Sequence, residues 1–207
     1  MAEFRNNEEH WNEFQWEKEI RRDERRISCY FRELPACLDL PGEEEMIFNS
    51  LLSQPDLVPT GGNPDSLRYW HHSDEDEDED FDDPEDAGRR RPGTEIVDEI
   101  DRLATEWTVC CASSLRSTLD LHGLGIVCAY GKLLARAADF VDTNPETARG
   151  LKISLGKRAL ADLNELVGAL EQLRDLQHSL KSEISLAVEL LGHVRERLID
   201  LVEQLRK

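Results

Sequence analysis

The sequence predicts an all-α protein: a long antiparallel helical hairpin of coiled-coil or bundle type, with an N-terminal helical segment carried on a disordered acidic linker. Three observations predict it. Apolar residues recur at heptad spacing from Leu163 to Leu205, within a helix expected over about 145–206. A stop and a cap, Asp142-Thr143-Asn144-Pro145-Glu146, interrupt the helical pattern once in 94–207. Between residues 74 and 86, eleven of thirteen residues are acidic, and such a run cannot bury a core.

Composition limits the function classes. Of 207 residues, 39% are hydrophobic and 33% charged, with 44 acidic against 25 basic residues and a net charge of −19. A polyanion of this strength repels nucleic acid, so direct DNA or RNA binding is not expected. The most apolar window, 121–141, contains His122, Lys132, Arg136 and Asp139. It therefore reads as a buried helix and not as a membrane span, and no membrane partner is expected. The first residues lack the basic-then-apolar pattern of a signal peptide, and five cysteines is an odd number. Reduced thiols in a cytoplasmic setting are the expectation.

Three regions differ in physics. Residues 1–52 form the N-terminal helical segment. Ile20, Ile27, Phe31 and Leu34 follow one another by seven, four and three residues, which is helical spacing. The mixed-sign run Arg21 to Arg26 lies between them and supplies i,i+4 ion pairs. A helix is expected from about 8 to 33, stopped by Pro35, and a second from about 42 to 53 around Met46, Ile47, Leu51 and Leu52. Residues 53–93 form the linker: Pro55, Pro59, Gly61, Gly62 and Pro64 precede the acidic tract, and Arg89, Arg90 and Arg91 follow it.

Residues 94–207 form the hairpin, with one helix over about 94–141 and another over about 145–206. In the second, the a positions are Leu163, Leu170, Gln177, Ile184, Leu191, Leu198 and Leu205. The d positions are Leu166, Leu173, Leu180, Ala187, Val194 and Leu201, so twelve of thirteen seam residues are apolar. Val167, Leu176, Val188, Leu190 and Val202 widen the stripe beyond that of a two-stranded zipper. The first helix carries a weaker seam: Ile96, Ile100, Leu103, Trp107, Cys110, Ser114, Ser117, Leu121, Leu124, Cys128, Gly131, Ala135 and Ala138. Gly123 and Gly125 leave its continuity open. Gln177, the polar exception, is expected to be buried opposite 110–114 and to lock the register with Ser114. Two helices cannot cover stripes this wide, so association of two chains through 94–207 into a four-helix bundle is expected.

Candidate chemistry is sparse. Cys110, Cys111, His122 and Cys128 are zinc-ligand types, but no C-x-x-C pair is present. Cys110 and Cys111 point ~100° apart on a helix, and Cys110 and Cys128 already have seam positions. Cys29 and Cys37, His71 and His72, and Glu189 with His193 carry no more specific signal. Ser113, Ser114 and Ser117 lack a His/Asp arrangement, and no phosphate loop, nucleophile elbow or H-E-x-x-H occurs. No catalytic, cofactor-binding or metal-binding residue is assigned, no cofactor is expected, and the chain reads as a non-enzyme. The expectation is a non-catalytic oligomeric adaptor or scaffold. The alternative is a small helical-bundle metal protein or enzyme using the Cys/His set. A third reading is an acidic regulator that captures a basic protein through 74–86, with Leu67, Tyr69 and Trp70 as an adjoining anchor.

Overall fold

Asn12 starts the first helix by a reciprocal exchange of hydrogen bonds. Its Oδ1 accepts from the N–H groups of Phe14 (3.0 Å) and Gln15 (3.1 Å), and Gln15 Oε1 accepts from the Asn12 N–H (2.9 Å). The computed structural model describes residues 11–37, 40–57, 91–114 and 120–207. Among the described residues the fold is all-helical, with no strand: α1 Glu13–Cys37, α2 Glu43–Leu52, α3 Thr94–Ser114, α4 Asp120–Asp142, α5 Pro145–Leu176 and α6 Lys181–Arg206. The acidic tract 74–86, the anchor 67–70 and His71 and His72 lie outside them.

The chain divides into two compact units, Met1–Trp16 with Arg89–Lys207, and Glu17–Gly88. In the second, Arg26 Nε donates to the Leu57 carbonyl (2.7 Å) and Arg25 pairs with Asp56 (3.2 Å). Arg22 donates to Glu19 at 2.6 Å. The bonds of Arg25 and Arg26 hold the residues after α2 against the middle of α1, and that of Arg22 lies within α1. Pro35 does not stop α1, which continues to Cys37. A proline in the last turn forfeits one intrahelical bond, to the carbonyl four residues earlier, and leaves the others standing.

In the first unit, α3 packs on α4, α4 on α5, α5 on α6, and α6 back on α3. The cross-contacts fix the directions. Trp107 Nε1 reaches the Gly123 carbonyl (3.5 Å), Lys152 Nζ the Val141 carbonyl (3.0 Å), and Glu95 pairs with Arg197 (3.0 Å). Arg149 donates to the Leu205 carbonyl. Each neighbouring pair is therefore antiparallel, and one chain forms an up-down-up-down four-helix bundle.

The two long helices expected from the sequence are thus four shorter ones. The second breaks at Gln177, whose backbone is extended (φ −127°, ψ 92°), followed by a 3₁₀ turn at His178–Leu180. The magnitudes explain the break. Interrupting a helix forfeits a few backbone bonds worth ~0.5–1.5 kcal/mol each. Folding back buries Leu163, Leu166, Leu170 and Leu173 on one helix with Ile184, Leu191, Val194 and Leu198 on the other, at ~1.5–3 kcal/mol per side chain. The chain covers its own stripe, so the premise for needing a second chain to complete the core does not hold. Gln177 is a half-buried helix cap and not a core residue.

The first-helix seam is correct over Ile96, Ile100, Leu103 and Trp107, all buried, and does not carry over into α4. In α4 the buried residues are Ile126, Tyr130, Leu133, Ala137, Phe140 and Val141, while Leu124, Cys128, Gly131 and Ala135 are exposed. A new helix starts a new register, and the bulkier set takes the core. The cap at 142–145 is present: Asn144 Oδ1 accepts from the Glu146 N–H at 2.9 Å, and Pro145 opens α5.

Candidate functional site

The most elaborated surface contact lies where residues 11–16 meet the bundle. The receiving surface is on α5 near its start, beside the end of α6. Ala148 departs from helical values (φ −138°, ψ 47°) two residues before Gly150. At Gly150 the incoming backbone passes so close that an added Cβ would lie 2.9 Å from the Trp11 carbonyl oxygen and 3.3 Å from Asn12 C and Glu13 N. Only glycine admits that approach. One turn on, the buried Ser154 hydroxyl donates to the Glu13 carbonyl at 2.8 Å.

Charge completes the grip. Glu13 Oε2 lies 3.2 Å from Lys157 Nζ and 3.5 Å from an Arg206 guanidinium nitrogen. The hydrogen bond from Lys157 leads in holding the Glu13 carboxyl below its ordinary value of 4.5. Burial opposes it, and the charges of Lys157 and Arg206 add to it. Lys157 Nζ also stands 5.7 Å from the Phe14 ring centroid, and Trp11 and Trp16 meet edge to face at 4.9 Å. Residues 11–16 therefore act as a clasp, and Gly150, Ser154, Lys157 and Arg206 as its seat. Sequence reasoning missed this pairing. The available signals were the capping box Asn12–Gln15 and the helical Gly150 one turn before Ser154.

A groove of about 450 Å³ runs between α4 and α5, lined in part by His122, Cys128, Lys132, Asp162 and Glu165. Lys132 Nζ holds Asp162 at 2.8 Å, and Arg136 stands 3.7 Å away. The buried Oδ2 of Asp162 has no hydrogen-bond partner among the described residues, and it is sealed from solvent. Approach by a ligand to that oxygen is closed.

The candidate metal ligands do not converge. Cys111 is buried, Cys110 half-buried, and His122 and Cys128 exposed. No group of three or more His, Cys, Asp or Glu placed to hold a metal ion exists among the described residues. Burial, reinforced by Cys110, pushes the Cys111 thiol upward and away from the reactive thiolate. Glu189 and His193 are both exposed, and Ser117 lies outside the described residues. Cys29 Sγ donates to Gln54 Oε1 at 3.7 Å.

No described helix is long and apolar enough to cross a membrane. No protein family, curated protein or solved structure matches the chain.

Proposed function

We propose that the chain is a non-catalytic helical adaptor or scaffold that presents its N-terminal unit to another protein. The observation that carries this reading is on α1. Ile27 and Phe31, one turn apart, are 56% and 63% exposed, and Leu40 and Met46 of the same unit are exposed as well. Large apolar groups left in water at helical spacing mark a docking face. A cytoplasmic setting goes with this reading, since Cys29, Cys37, Cys110, Cys111 and Cys128 are all free thiols.

The test is comparative capture. Ile27→Glu with Phe31→Glu should leave the helix content of the full chain unchanged and abolish retention of whatever protein the parent retains. Equal retention by both removes α1 as the docking face. A second reading rests on the eleven acidic residues in 74–86. Capture of a basic protein through that tract weakens steeply with salt and is lost when the tract is neutralised.

A further inference from the structure

We propose that the Ile27–Phe31 face of α1 receives a basic amphipathic helix, a partner segment whose apolar stripe is flanked by lysine or arginine. This rests on the docking reading above and names the chemistry of the partner.

The charges of α1 are sorted around the helix. At ~100° per residue, Ile20, Ile27, Phe31 and Leu34 fall in one stripe. From Glu17 onward, the charged residues within ~60° of that stripe are Glu17 and Glu24 on one side and Asp23 on the other. All six cations of the helix, Lys18, Arg21, Arg22, Arg25, Arg26 and Arg32, lie ~100° or more away. The contacts show what occupies that far half. Arg25 reaches Asp56, Arg26 the Leu57 carbonyl, and Cys29 the Gln54 side chain, so the residues after α2 pack there. The stripe is turned the other way. Ile20 at its start is buried, and Ile27 and Phe31 at its middle are left in water.

Apolar surface and charge select the same occupant. Ile27 and Phe31 offer an i,i+4 pair of large side chains, which the apolar stripe of another helix covers. The carboxylates beside them favour cations on that helix and disfavour acids. Their pairs within α1 do not preclude this. Glu17 is held by Arg21, and Asp23 by Arg26, each from a neighbouring turn. Pairs of this kind at a surface hold weakly, so a partner cation can share the same carboxylates. An anionic membrane or a nucleic acid meets those carboxylates as a repulsion.

Synthetic peptides test this on the full chain. Two are helices of about 18 residues with one leucine stripe, lysine flanking it in the first and glutamate in the second. A third has the composition of the lysine peptide in scrambled order. Fluorescence anisotropy of labelled peptide gives the affinity, and circular dichroism gives the helix content of each protein variant. The lysine peptide should bind the parent about tenfold tighter than the glutamate peptide, with the gap narrowing as salt rises. Ile27→Gln with Phe31→Gln should weaken the lysine peptide about tenfold. Asp23→Asn with Glu24→Gln should weaken it about threefold and flatten its salt dependence. The acidic tract 74–86 is the same in parent and variants, so these differences read α1, and the scrambled peptide should not show them. If the first variant loses helix content, the second, which keeps the apolar pair, decides the matter. Lysine and glutamate peptides that bind equally, both through Ile27 and Phe31, overturn the basic partner and leave the docking face standing. A lysine peptide that binds parent and both variants equally, or does not bind the parent, overturns the partner and the docking face together. A loss shared by the scrambled peptide assigns the binding to charge alone and overturns the helical partner.

Discussion

Lys152, on α5, donates its ammonium to the Val141 carbonyl at 3.0 Å and to the Thr143 carbonyl at 2.7 Å, closing the C-terminal end of α4. Those carbonyls have no helical partner of their own. The stem is buried, and the ammonium stands 5.3 Å from the Phe140 ring centroid. Burial is the leading cause that pulls the Lys152 pKa down from 10.5; nearby Arg91 adds to it and Asp142 opposes.

Lys152→Met keeps the stem and removes the donor. Two carbonyls lose their bonds, and the loss should be about 1–3 kcal/mol. Linkage gives the pH behaviour. A folded-state pKa below the unfolded value means that the folded chain binds fewer protons, so this group's contribution rises with pH up to about 10.5. Urea unfolding of parent and variant between neutral and alkaline pH checks both statements: the gap should widen in alkali.

Gly156 and Gly168 lie on the same helix and respond oppositely to a methyl group. A Cβ on Gly156 would lie 2.5 Å from Val202 Cγ2 and 2.9 Å from the Phe140 ring, both deep in the core. Gly156→Ala should cost about 1–3 kcal/mol from overpacking. A Cβ on Gly168 meets nothing within 4 Å, and Gly168→Ala should stabilise by about 0.5–1 kcal/mol through helix propensity. Thermal unfolding of the two variants should move in opposite directions. A shared direction refutes the packing of α4, α5 and α6 around Gly156.

The clasp should be sensitive to acid. The Glu13 carboxyl titrates below 4.5 because Lys157 and Arg206 favour its charge. Its stabilising contribution is therefore complete above about 4.5 and is lost as pH falls through the depressed folded value. Parent and Glu13→Gln should differ in stability near neutral pH and converge in acid. A gap that does not narrow as the solution is acidified contradicts the ion pair.

Gln177→Leu separates the expectation of a buried polar layer from the observed turn. In a continuous coiled coil the change stabilises by about 1–3 kcal/mol. At the extended cap between α5 and α6 it should change stability by less than about 0.5 kcal/mol, because the bonds are made by its backbone, the N–H donating to the Leu173 carbonyl at 2.8 Å and the C=O accepting from the Leu180 N–H at 3.2 Å.

The heptad stripe was legible because burial follows it: Leu163, Leu170, Ile184, Leu191 and Leu198 all reach the core. Its folding back was not legible. A stripe of constant period looks the same whether it faces a second chain or its own other half, and Gln177 fits a polar seam residue as well as a cap. The α4 register was misread because the small residues Cys128, Gly131 and Ala135 continue the α3 period by coincidence. Side-chain volume favours Ile126, Tyr130, Leu133 and Phe140 for the core. The clasp stayed hidden because its parts, Glu13 and Lys157, are 144 positions apart and no local pattern connects them.

The central claim is that α5 and α6 are one stripe folded back within a single chain. Nitroxide labels at exposed Thr147 and Gln204, in a chain free of other cysteines, test it by pulsed electron spin resonance. Antiparallel packing predicts a separation of about 15–25 Å, the 8–10 Å helix spacing plus two label arms. It should be unchanged when labelled chains are diluted with unlabelled ones. A continuous helix over 145–206 would instead place the labels ~85 Å apart and contradict the account.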